Sequence, residues 1–196
     1  MITIENIQTH IPPYLTPDQK KDLVEGLKDY KNRNIYTTLY PTDLLQGDGW
    51  SSIEIVRFLD GARDKIRGVL LSNSCDINPA NTRDFSPRIA FAPLVRLQDY
   101  QSRLMEKGTI PPDQIQSKIG SIKDQLVTSI FYLPQGGALD TEYIAILDDI
   151  HTIPLAVFQA EAVKSKLFTF NMLGFYLFLI KLSIHFCRFQ ENLARG

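Results

Sequence analysis

Hydrophobic positions change their spacing twice along this chain. Leu23, Leu27 and Tyr30 fall on one stripe at helical spacing behind Thr16-Pro17-Asp18-Gln19, where Thr16 reads as an N-cap, Pro17 as a first-turn residue and Gln19 as its capping-box partner. This predicts a helix over about 17–30, within an N-terminal arm spanning 1–40. Asn32 to Asn34 breaks it, and the Thr- and Tyr-rich stretch 36–40 reads as extended before a loop at 41–49. From residue 50 the pattern becomes a series of short β-type runs rich in Ile, Val, Phe and Tyr. They lie at about 52–58, 67–73, 88–95, 129–133 and 143–148, with turn residues between them. Five short strands predict a small barrel or curled sheet, so the expected class is α+β.

Two segments depart from that rhythm. Ile115, Ile119, Ile122 and Leu126 recur at helical spacing after Pro111-Pro112-Asp113, and 97–105 has the character of a shorter helix. A helical insertion over about 96–128 is therefore expected inside a barrel region spanning 41–158. The stretch 168–189 is apolar nearly all round, which predicts a long, buried or dimer-facing C-terminal helix within 159–196. Its uninterrupted apolar part, 172–180, is shorter than the roughly 20 residues a bilayer span needs, and Lys181 and His185 interrupt it. One domain and no membrane association are the expectations.

Composition narrows the class further. With 196 residues, 44% hydrophobic and 22% charged, the chain has globular proportions and enough length for a core. A net charge of −1 gives no global attraction to nucleic acid, so such binding would need a local basic face. Two cysteines without short spacing exclude a disulfide framework and a structural zinc module, and the N-terminus lacks a basic leader, which predicts a cytoplasmic protein. No cofactor is expected.

Three blocks in order then resemble the MazF/PemK-like toxin family. Gly47-Asp48 precedes a strand ending Arg57-Phe58; Arg67-Gly68-Val69-Leu70-Leu71-Ser72-Asn73 is similar to the family's Arg-Pro and its Val- and Leu-rich strand ending in Ser; and 144–153, Ile-Ala-Ile-Leu-Asp-Asp-Ile-His-Thr-Ile, is similar to its late strand. Together the blocks cover about a third of the chain. The resemblance implies a small SH3-like β-barrel, a sequence-selective endoribonuclease, a toxin–antitoxin or defence setting, and single-stranded RNA, a cognate antitoxin or other protein, and a second copy of the chain as partners. It places Arg67 at the family's phosphate-handling Arg. Val95 stands where typical members carry the Thr that completes the cleavage site, Gly68 stands at the usual Pro and His151 at the usual Arg. The proton acceptor would then be His151 or Asp76, since a valine methyl cannot relay a proton.

Other residues carry candidate chemistry of their own. Cys75 beside Asp76 reads as a thiol nucleophile with His151 or His185 as base, or as a small gap-filler next to an Asp that accepts hydrogen bonds from the loop 77–81. Asp148-Asp149 next to His151 reads as an acid/base cluster or as a solvated turn. No metal site is expected, because His185 and Cys187 point about 200° apart on a helix. Arg63, Lys65, Arg67, Arg83 and Arg88 concentrate positive charge where Trp50 and Phe85 could stack on bases, with Asp60, Asp64 and Asp84 as balancing charges. Three functions follow: an RNA-binding or RNA-cleaving barrel, a catalytically inactive barrel serving as a protein interaction module, and a thiol enzyme built on Cys75.

Overall fold

The computed structural model describes residues 17–186 apart from 79, 82, 83 and 109, so Thr16, Arg83 and Cys187 lie outside the described residues. The element order is α1 (Pro17–Lys28), a 3-10 turn (Tyr30–Asn32), β1 (Tyr36–Thr37), β2 (Gly49–Val56), β3 (Arg63–Leu70), β4 (Arg88–Arg96), α2 (Leu97–Lys107), α3 (Pro112–Lys123), β5 (Ile130–Leu133), β6 (Tyr143–Ile146), β7 (His151–Pro154), α4 (Leu155–Ala160), β8 (Lys166–Phe170) and α5 (Met172–Phe186). The class is α+β, with an antiparallel sheet curled into a half-barrel. Its strands run β1-β8-β2-β3-β4-β6-β5, and β7 pairs the first half of β4.

The curl buries one core inside it. Val69, Ala92, Leu94, Phe131, Tyr143, Ala145, Phe168 and Phe170 come from strands spread along the whole sheet yet pack together with Phe178 of α5. Their apolar area leaves water in one place, which is the main favourable term holding the curl. The two edges approach through single hydrogen bonds rather than a strand ladder: the Tyr36 hydroxyl donates to the Pro134 carbonyl at 2.7 Å, and the Ala138 N–H to the Leu167 carbonyl at 2.7 Å. The open edge of β5 is blunted by Gln125, whose amide donates to the Tyr132 carbonyl and accepts from its N–H.

Gly47-Asp48 has a structural task. Gly47 sits at φ +86 with Phe170 2.8 Å from where a Cβ would be, a place only glycine fills without strain. Asp48 is fully buried and its carboxylate pairs with Lys166 of β8 at 2.8 Å while accepting from the Leu45 N–H and the Thr169 hydroxyl. Burial pushes this carboxyl above its usual range, and these three donors offset part of the shift. The pair ties the loop before β2 to β8.

The helices partly follow the sequence pattern. α2 and α3 form the expected hairpin between β4 and β5, and Leu97, Ile115, Ile119 and Ile122 pack on Ile130 and Ile144. Gly108, at φ +60, ends α2 in a left-handed cap, and Pro112 begins α3. α1 ends at Lys28, so Tyr30 belongs to the following turn, and α1 packs Leu23 and Leu27 on Tyr176 of α5.

The expected long C-terminal helix is not what forms. Its first part, Lys166–Phe170, is a strand, and the helix that follows covers Met172–Phe186 among the described residues. Asn171 forces the break: its side-chain oxygen accepts the Gly174 N–H at 3.0 Å, which caps a helix starting at Met172. No helix among the described residues is long and apolar enough to cross a membrane. The five expected strands become eight among the described residues, because β1, β7 and β8 are short or uniformly buried and lack an alternating pattern.

Candidate functional site

An open pocket of about 500 Å³ lies where β2, β3, β4, β6 and α2 meet, lined by Ser51, Ser52, Lys65, Ile66, Arg67, Leu94, Val95, Arg96, Asp99, Arg103 and Tyr143. Strand register places its centre. Val69 pairs Ala92, Leu94 pairs Ala145 and Arg96 pairs Tyr143, so by two-residue alternation Arg67, Leu94, Arg96 and Tyr143 share one face of the sheet. At this end of the strands the apolar core gives way to guanidinium groups. The strand then turns directly into α2, whose first two turns supply Asp99 and Arg103 as a wall four residues apart on one helical face.

Tyr143 is the hub of the pocket. It is 1% exposed, and its hydroxyl accepts from Arg67 Nη1 at 2.7 Å and from Arg96 Nε at 3.2 Å while donating to Asp140 Oδ1 at 2.7 Å. The Arg67 guanidinium also lies 5.4 Å from the centre of the Tyr143 ring. Arg96 closes the circuit by donating from Nη2 to Asp140 Oδ2 at 2.5 Å. Hydrogen bonds from Tyr143 and Arg96 hold the Asp140 carboxyl below its ordinary range, and hydrogen bonds to Tyr143 and Asp140 hold Arg96 above its own. Lys65 completes the cationic rim and pairs with Glu161 at 2.7 Å. Lys65, Arg67, Arg96 and Arg103 line the pocket with the Asp99 carboxylate, and Asp140 and Glu161 pair with two of these cations, so the cluster keeps a small excess of positive charge.

Of the residues singled out in the sequence, Arg67 and Lys65 line the pocket, and Val95 lies there as well. Asp76, Cys75 and His151 do not. His151 pairs Phe91, which pairs Leu70, so it stands on the opposite face of the sheet from Arg67; it stacks on the Phe91 ring at 5.7 Å and meets Asp149 at 3.1 Å. Substrate held by Arg67 cannot meet His151 through a β-sheet. Cys75 and Asp76 occupy a turn between β3 and β4. There Asn73 accepts the Cys75 N–H and Asn81 donates to the Cys75 carbonyl.

The remaining cations separate. Arg63 sits at the start of β3 and bonds Glu54 at 3.1 Å, and Arg88 binds Thr152 at the far end of β4 from Arg96. Trp50 is buried, with Phe158 edge-on at 5.4 Å and Lys166 5.3 Å from its ring centre, so it offers no surface for a base. Phe85 stays exposed in the loop before β4. Sequence reasoning missed Arg96, Asp99, Arg103, Asp140 and Tyr143. The i, i+4 spacing of Asp99 and Arg103 on the expected second helix was a usable signal for two of them.

No family model matches the chain, and no curated protein matches its sequence.

Proposed function

We propose that this protein binds single-stranded RNA through its phosphates at the Arg67 pocket, as a divergent MazF/PemK-like SH3 barrel in a toxin–antitoxin or defence setting. One observation carries the reading: Arg67, the residue at the family's phosphate position, shares a single open pocket with Lys65, Arg96 and Arg103. Cleavage by attack of a 2′-hydroxyl needs a proton acceptor within reach, and Asp99 is the carboxylate among the lining residues. Val95 stands where members of the resembled family carry Thr, so the proposal is of binding, with cleavage followed in the same experiment.

A second reading, a protein interaction module, is favoured by the tip of the β2–β3 hairpin, where Phe58 and Leu59 stand in solvent. The two readings part in one experiment. Purified protein is incubated with mixed single-stranded RNA beside an Arg67→Ala variant, with binding and cleavage both followed. The RNA reading expects binding by the wild type and a loss of roughly tenfold or more in the variant, the scale of one charged hydrogen-bonding group. Equal affinity in both proteins, or none in either, would overturn it.

A further inference from the structure

We propose that Arg67 and Arg96 form a twin-guanidinium clamp on a single phosphate group, with Tyr143 as the positioning residue and Asp140 as the counter-charge that the phosphate displaces. This rests on the RNA reading of the same pocket and adds to it which group is recognised and what sets the geometry. Two guanidinium ions repel, so holding a pair together needs a shared acceptor. The Tyr143 hydroxyl is that acceptor: it takes Arg67 Nη1 at 2.7 Å and Arg96 Nε at 3.2 Å, which keeps those nitrogens within about 6 Å of each other.

The anchor is rigid and the counter-charge is not. Tyr143 begins β6, its ring is enclosed by the core inside the curl, and a tyrosine has only two side-chain torsions to fix. Asp140 lies just outside the strand with its side chain 53% exposed, so its ion pair with Arg96 is screened and exchanges readily for another oxyanion. A phosphate entering the pocket presents several oxygens to two preset planar forks, where a lone arginine would have to order itself on binding. The entropy of placing both arginines is met in the folded protein rather than at the moment of binding.

The test is the affinity of a labelled single-stranded oligouridylate, followed by fluorescence anisotropy between about 50 and 200 mM salt. For Tyr143→Phe the clamp predicts a loss of roughly tenfold at every salt concentration with the slope of log affinity on log salt unchanged, because every cation remains. Arg67→Ala and Arg96→Ala are each expected to lose about tenfold and to flatten that slope by about 0.7. The double variant should lose little more than either single one, since both act on one phosphate. Wild-type affinity in Tyr143→Phe, or a double variant that multiplies the two losses to about a hundredfold, would overturn the clamp. If Tyr143→Phe fails to unfold cooperatively, the cycle on the two arginines, both at the protein surface, decides alone. Wild-type affinity in both single arginine variants would instead remove the RNA reading itself.

Discussion

Lys181 carries an amino group into the packed side of α5, where it is 4% exposed and donates to the Gln125 carbonyl at 2.7 Å. Burial disfavours its charged form and pulls its pKa from the ordinary 10.5 down to about 8. Between those values the unfolded chain holds a proton that the folded chain has released, so this residue makes stability rise with pH across that window. Below about pH 8 the folded protein carries the buried charge as a cost. Lys181→Met should therefore be more stable than the wild type at pH 7.5, by roughly 1–2 kcal/mol, with the advantage shrinking by pH 10. Urea unfolding of both proteins at the two pH values measures it, and a gap independent of pH would contradict the assignment. Half-buried tyrosines such as Tyr30, raised to about 12, lower stability above their usual range, but they act on both proteins and cancel in the comparison. At this scale Arg67 was legible through a resemblance in its flanking residues, whereas Tyr143 was not. Its partners stand 76 and 47 residues away, and nothing local in Glu142-Tyr143-Ile144 marks a hydroxyl that will meet two arginines.

The elements that read most clearly were those with one buried and one exposed side. α2 and α3 fall close to their expected places because their apolar residues recur at the period of the helix, whereas β3 begins at Arg63 rather than about residue 67, its first half being polar and exposed. β8 failed that test for a physical reason. Leu167, Phe168 and Phe170 all enter the core and Thr169 is buried against Asp48, so the strand shows an unbroken apolar run with no alternation and merges with the helix after it. Asn171 was the available signal, a capping side chain in the middle of that run. The helix it starts is a core element: Phe178 is fully buried, with its ring edge-on to Phe131 at 5.3 Å and 5.5 Å from Phe170. Phe178→Ala should cost about 3–5 kcal/mol in urea unfolding, the range for an aromatic lost from a tight core. A cost under about 1 kcal/mol would show instead that α5 lies loosely on the sheet.

Over the whole molecule, the curl of the sheet decides which charges work together. Of the described cations between residues 63 and 88, Lys65 and Arg67 line the pocket, whereas Arg63 at the start of β3 and Arg88 at the start of β4 do not. Their partners come instead from the end of β4, from α2 and from the loop before β6, which a curled sheet and a helical insertion bring to the same place. Class and insertion were therefore legible from periodicity, while the site was not, because it depends on strand order and on which face each residue takes. The most direct measurement is an NMR titration of the labelled protein with a short single-stranded RNA. The predicted result is that shifts centre on Lys65, Arg67, Arg96, Arg103 and Tyr143, while His151, Arg88 and the loop 71–87 stay in place. Shifts confined to that loop and to the His151 face would contradict the account.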